Sequence, residues 1–268
     1  MNYHEIGLTE IFLAACLVFV NGLISFVLNL GLGKSLLIAS IRTIVQLSLI
    51  GIILKWIFSM NEFWVVLLWV TLMMVIAAQA AKNRLSWSYT GIFYDTFISV
   101  FVPAWFVVIV GIELILNIQP WYSPQYLIPM AGMIIGNILT AISLVLNNLL
   151  SQLTSQRERV DSLLALGATP WEAFREQAAQ AVKTGMMPTI NSMTVVGLVS
   201  LPGMMTGQVL AGQDPEQAIR YQIVIMFFLA VGTGLSCVLL VYMVFKRLFD
   251  ANGTFLFNRL IMTNKKRK

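Results

Sequence analysis

The chain has 268 residues, of which 58% are hydrophobic and 11% charged, against roughly 45–50% and about 25% in an ordinary globular domain. So few charges cannot cover a water-exposed surface, which excludes a soluble globular protein and leaves lipid as the cover. The net charge of +5 is no nucleic-acid footprint, because Lys and Arg sit between long apolar runs, as they do in cytoplasmic loops, rather than in one patch.

A membrane span needs about 20 mostly apolar residues, and seven stretches qualify. Residues 11–30 carry no charge. Residues 35–58 contain Arg42 and end near Lys55. Residues 63–81 are polar only at Thr71 and Gln79, and residues 96–116 hold Glu113 near their end. Residues 126–150, 188–212 and 221–245 are uncharged. No Lys or Arg precedes the first run, and that run is long, so it reads as a true span rather than a cleavable signal peptide. With the N-terminus outside, 14 of the 17 basic residues fall on the inner side, among them Lys34, Lys82, Arg84, Lys246, Arg247 and the tail Lys265, Lys266, Arg267 and Lys268. The opposite orientation reverses this bias. The expected fold is therefore all-α. It is a polytopic integral membrane protein of seven transmembrane helices, N-terminus outside and C-terminus cytoplasmic, forming a single domain over residues 1–268.

Catalytic chemistry is not written here. Gly31-Leu-Gly33-Lys34-Ser35 looks like the end of a phosphate-binding loop. The full pattern needs a glycine five residues before Gly33, where Leu28 stands, and a preceding strand where a span lies. A turn between two spans is the better reading. One histidine, His4, and no acidic cluster exclude the common zinc motifs and a Ser-His-Asp set. Cys16 and Cys237 lie inside apolar runs and read as small core residues. No cofactor is expected.

One internal loop, at about residues 151–187, is long enough to hold structure. Its sequence RERVDSLLALGATPWEAFREQ predicts two short helices. The first stops at Gly167. The second runs over residues 169–182: Thr169 caps it, Pro170 takes its first position, and Glu172 completes a capping box. Trp171, Phe174, Ala178, Ala181 and Val182 fall near one face. Such a helix could dock a partner or lie on the membrane surface, and spacing leaves both open.

LALGATPWEAFREQ resembles the loop by which ABC permeases contact their ATPases, the glutamate–alanine–glycine motif with its short coupling helix. Glu158, Gly167 and the Pro170-Trp171-x-x-Phe174 run match that pattern. IPMAGMIIGN, GLVSLPGMMTGQVLAGQDP and AIRYQI are similar to the iron-export ABC permease family of the FetB type, which has plant relatives linked to aluminium tolerance. IRTIVQLSLIGIILKWIF resembles its second span. The resemblance implies an exporter subunit for iron or an iron-linked species, with no enzymatic activity of its own. It also implies a separate cytoplasmic ABC ATPase subunit, a pair of permease copies and a home in the inner membrane. On this reading Glu158, Gly167, Thr169, Pro170, Trp171, Glu172 and Phe174 are the ATPase-coupling residues.

Inside the spans, Arg42 with Gln46 one turn on is either a pathway or helix-pairing site, or an arginine snorkelling to the inner headgroups. Pro129, Asn137, Pro202, Gly203 and Gln208 are further pathway or hinge candidates. Gly132 and Gly136 permit close helix packing. Pro202-Gly203 in mid-span predicts a break whose freed backbone must be buried or line a cavity. Met130, Met133, Met193, Met204 and Met205 cluster in the same two spans, but iron prefers harder ligands and packing accounts for methionines. Asp95 and Glu113 are the nearest oxygen ligands, or plain interfacial charges; no metal site is assigned. Two other functions fit a polytopic protein. An ion-coupled secondary transporter would need carboxylates deep in the bundle, which the last three spans lack. A non-transport membrane protein would use the loop to bind a cytoplasmic partner.

Overall fold

The computed structural model describes residues 7–60, 62–250 and 252–263. His4 and the tail Lys265, Lys266, Arg267 and Lys268 lie outside the described residues. The described residues form α1 (Leu8–Val27), α2 (Gly33–Met60), α3 (Phe63–Lys82), α4 (Ile92–Ile109) continuing as a π-helical turn (Val110–Ile115), and α5 (Pro124–Ser155). These are followed by α6 (Arg157–Ala165), α7 (Pro170–Val195), α8 (Gly203–Leu210) and α9 (Pro215–Leu248). Six helical stretches are long and apolar enough to cross a membrane: α1, α2, α3, α4 with its π turn, α5 and α9. The protein is an all-α, multi-pass membrane protein.

Contacts divide the chain into two compact units, Met1–Glu62 with Leu210–Gly212, and Phe63–Val209 with Gln213–Lys268. In the first unit α1 packs against α2. Their connection is a turn that ends at Leu32, so of the stretch Gly31–Ser35 only Gly31 and Leu32 lie in it, while Gly33, Lys34 and Ser35 open α2. Asn29 and Gly31 take positive φ values of 51° and 67°, and the Ser25 hydroxyl accepts the Leu32 N–H at 2.9 Å.

In the second unit α5 is the central helix, packed by α3, α4, α7 and α9. Leu127, Ile134, Ile138, Ile142, Leu146 and Leu149 form one of its buried stripes, at the three-and-four spacing of a helix face. Lipid tails are as apolar as these side chains, so close packing rather than water exclusion holds the helices together. Gly185 of α7 meets that need. A Cβ there would run into Val145 and lie 3.1 Å from both the Ala141 carbonyl and the Cys237 sulfur. Gly185→Ala is therefore expected to lower stability by about 1–3 kcal/mol, read as a lower unfolding midpoint in detergent. Gly136→Ala, where no atom lies within 4 Å, should leave the midpoint unchanged.

The expected sixth span, residues 188–212, is not one helix. α7 begins in the loop and runs to Val195, so the helix expected over residues 169–182 is only its first half. Gly185 and Pro188 both lie inside it. The stop comes at Gly197, whose φ of +83° is open to glycine without strain. The Gly197 N–H donates to the Ser200 carbonyl at 2.9 Å, closing a turn, and α8 restarts at Gly203. The break expected at Pro202-Gly203 thus opens earlier and spans the whole turn.

After α9 the chain folds back as a strap. The Asp250 carboxylate accepts the N–H groups of Asn252 and Thr254, and the Leu256 N–H donates to the Leu248 carbonyl at 2.7 Å. A short strand β2 (Ile261–Met262) then pairs antiparallel with β1 (Trp87–Ser88) in the α3–α4 connection.

Candidate functional site

The loop between α5 and α7 is built as its local signals dictate. α6 ends in a Schellman motif: the Ala168 N–H donates to the Leu163 carbonyl and the Gly167 N–H to the Leu164 carbonyl, both at 3.0 Å, with Gly167 at φ +91°. α7 opens with the capping box. The Thr169 N–H and hydroxyl each donate to Glu172 Oε2 at 2.7 Å, and the Glu172 N–H donates to the Thr169 hydroxyl at 3.3 Å. Those bonds hold the Glu172 carboxyl below the usual carboxylate range. The contribution of this cap is complete above the ordinary glutamate pKa and is lost as pH falls through the lower folded value.

Between the two caps the chain makes a tip. Leu166 there is 86% exposed and Trp171, the second residue of α7, is 46% exposed. Trp171 stands edge-on to Phe245 at 5.3 Å between ring centroids. Glu158 is exposed on α6, flanked by the Arg157–Asp161 ion pair at 3.3 Å and by Arg159, which reaches Glu176 on α7.

Phe174 does not belong to the exposed set. It is 0% exposed, with ring centroids of Trp171, Phe245 and Phe249 at 5.9, 5.3 and 5.7 Å. Phe255 and Phe257 extend this aromatic ladder into the strap, and Arg157 lies 4.3 Å above the Phe257 ring. The base of α7 is thus clamped to the end of α9. In the structure the Phe174 ring is taken up by internal packing rather than by the exposed tip. The sequence pointed to an apolar face, but Phe245 and Phe249, which cover it, lie some 70 residues away.

A second cluster ties the same end together. Asp95, 1% exposed, accepts from Arg247 Nε at 3.1 Å and from Arg247 Nη2 at 3.2 Å, and from the Tyr89 hydroxyl at 3.0 Å. Burial, then the neighbouring Asp95 charge, keep the Tyr89 phenol protonated far above its ordinary range, so it remains a donor. Asp95 is therefore a buried ion-pair member rather than a free oxygen ligand, and Glu113 is exposed on the π-helical turn.

The intramembrane candidates separate. Arg42 and Gln46 share an exposed face of α2 with Ser35, Ala39 and Thr43, lining a groove of about 380 Å³. Pro129 is exposed on α5. The Asn137 amide donates to the Met133 carbonyl of its own helix at 3.0 Å, which uses one of its two N–H donors. Pro202 lines a cavity of about 450 Å³ with Met193, Met205, Gln222 and Met226. Gly203 has no atom within 4 Å of a built Cβ, and the Gln208 carbonyl accepts the Gln213 N–H at 3.0 Å. Met130 is buried core. Among the described residues no three of His, Cys, Asp and Glu come together as metal ligands.

Sequence reasoning passed over Leu166. An apolar residue placed directly before a helix-terminating glycine was the available signal.

Comparison with known proteins places this architecture. Residues 8–249 match the family described as "Uncharacterised protein family (UPF0014)". The chain is 41% identical over 224 residues to the "UPF0014 membrane protein slr1647" of Synechocystis, covering 83% of this chain and 86% of the relative. It is 36% identical over 268 residues to the "Probable iron export permease protein FetB" of Escherichia coli, covering 100% of both. It is 31% identical over 250 residues to the "Protein ALUMINUM SENSITIVE 3" of Arabidopsis thaliana, covering 91% and 88%. No solved structure matches. The chain belongs to the UPF0014 family of membrane proteins, to which it is matched over nearly all of its length.

Proposed function

We propose that the chain is the membrane-spanning permease subunit of an ATP-driven ABC exporter, moving iron or an iron-linked species outward. The observation that carries the reading is the tip between α6 and α7. Two opposed caps hold a rigid corner with Leu166 and Trp171 left open, on a helix that runs directly into the broken segment. Similarity to a protein named as a probable iron export permease supports the cargo. In this reading the N-terminus is outside and the C-terminus cytoplasmic. Seven crossings result, the sixth being made by the end of α7, the Gly197 turn and α8. A cytoplasmic ATPase subunit seats on Leu166, Gly167 and Trp171, with Glu158 beside them and with Thr169, Pro170 and Glu172 fixing the start of the lever. Two copies pair, and the exposed Arg42–Gln46 face of α2 lines the pathway. ATPase closure displaces α7, and the turn before Pro202 and Gly203 takes up the movement, with Gln208 on the moving piece.

The test uses the chain co-reconstituted with its candidate ATPase in sealed vesicles. ATP-dependent iron movement is expected for the native pair. Leu166→Glu, which places a charge on the tip without touching the core, should abolish the ATP dependence and release the ATPase on purification. Undiminished ATP-driven transport and full ATPase retention in that variant would overturn the docking assignment. Transport of another solute in place of iron would overturn the cargo alone.

A further inference from the structure

α4, α7 and α9 enclose a groove of about 1020 Å³, at the upper end of the range of roughly 300–1,000 Å³ usual for ligand clefts. Val102 and Phe106 of α4 and Leu235 and Val238 of α9 form apolar walls. Along α7 the lining includes Arg175, Ala178, Ala179, Val182 and Lys183, and the four-residue steps from Arg175 to Ala179 to Lys183 place the two cations on one helix face. Ala179 leaves open the space between the two cations. Both cations are exposed, and neither has an ion-pair partner among the described residues. No acid lines the groove. The nearest carboxylate in sequence, Glu176, is held by Arg159. Trp171 and Tyr242 are also in the lining, and Lys246 sits 5.3 Å over the Tyr242 ring. Tyr and Trp are the side chains that favour the headgroup level of a bilayer.

An apolar trough with two unpaired cations along one wall complements an amphiphile of opposite charge. We infer that this groove is a binding site for an anionic phospholipid, its acyl chain against α4 and α9 and its phosphate between Arg175 and Lys183. Basic pockets between transmembrane helices take anionic headgroups for this reason. A second copy of the chain would meet the same two cations with its own cations and gain no charge complement. The inference does not depend on the ATPase or the cargo.

The full chain, purified in a neutral detergent, is titrated with phosphatidylglycerol and, separately, with phosphatidylcholine, and bound lipid is counted by native mass spectrometry. Phosphatidylglycerol should be retained preferentially. R175Q/K183Q should weaken it about thirtyfold while leaving phosphatidylcholine unaffected. R175K/K183R should restore binding, which separates charge from folding. Ala179→Trp should fill the trough and displace the lipid. Equal retention of both lipids, native affinity in R175Q/K183Q, or efficient Val238→Cys cross-linking between copies through the groove would each overturn the site.

Discussion

Phe174→Ala is expected to destabilise the chain by about 3–5 kcal/mol, the cost of removing a fully buried aromatic and leaving its cavity. The unfolding midpoint in detergent should fall by roughly 6–20 °C for a chain of this size. The ring is fully buried and packs on Trp171, Phe245 and Phe249, so refilling the space requires the rings of α7 and α9 to move. Trp171→Ala should cost about 1 kcal/mol or slightly more, because only part of that side chain leaves contact with the protein. On the proposed function, its loss should show instead in retention of the ATPase partner. The measurement is a pair of thermal unfolding curves with a co-purification. A Phe174→Ala protein of native stability that no longer retains the proposed ATPase partner would place Phe174 on the docking surface.

Arg247→Ala is expected to be the next most damaging change. It strips two donors from the Asp95 carboxylate and leaves a buried charge with the Tyr89 hydroxyl. Breaking a fully buried pair costs about 3–5 kcal/mol. The Arg247 side chain is 46% exposed, so water can enter in its place and about 2–3 kcal/mol is expected here. Asp95→Asn removes the charge that needs a partner and frees Arg247 to solvent, so its effect should be smaller. Stability measured for both single variants and for the double variant closes a thermodynamic cycle. An Arg247→Ala loss no larger than that of Asp95→Asn would mean the carboxylate is not isolated in the way its burial implies.

The parts of the fold legible in sequence are those set by local rules. Apolar runs gave six of the seven expected membrane helices, with ends that differ by up to six residues, and Thr169-Pro170-x-Glu172 and Gly167 gave both caps. The end of α7 was not legible. Pro202-Gly203 is the more conspicuous signal, yet the helix runs through Gly185 and Pro188 and the chain turns at Gly197, where a single left-handed residue suffices. Pairings across the chain were also hidden. Asp95 finds Arg247 across 152 residues, and Phe174 is covered by rings from α9, so each looked from its neighbours alone like a surface group. The strap was invisible because two-residue strands carry no periodicity to detect.

The unbroken run of α7 past its expected end has a geometric corollary. A helix is a screw, advancing about 1.5 Å and turning about 100° with each residue. Gly185 is wedged against α5 and Cys237, so it sets the phase at one end, and the direction in which Trp171 points follows from the residue count between them. Adding one residue there would swing the tip about 100° around the axis while lengthening the rod only slightly. The interval from Trp171 to Gly185 is metered by helical pitch.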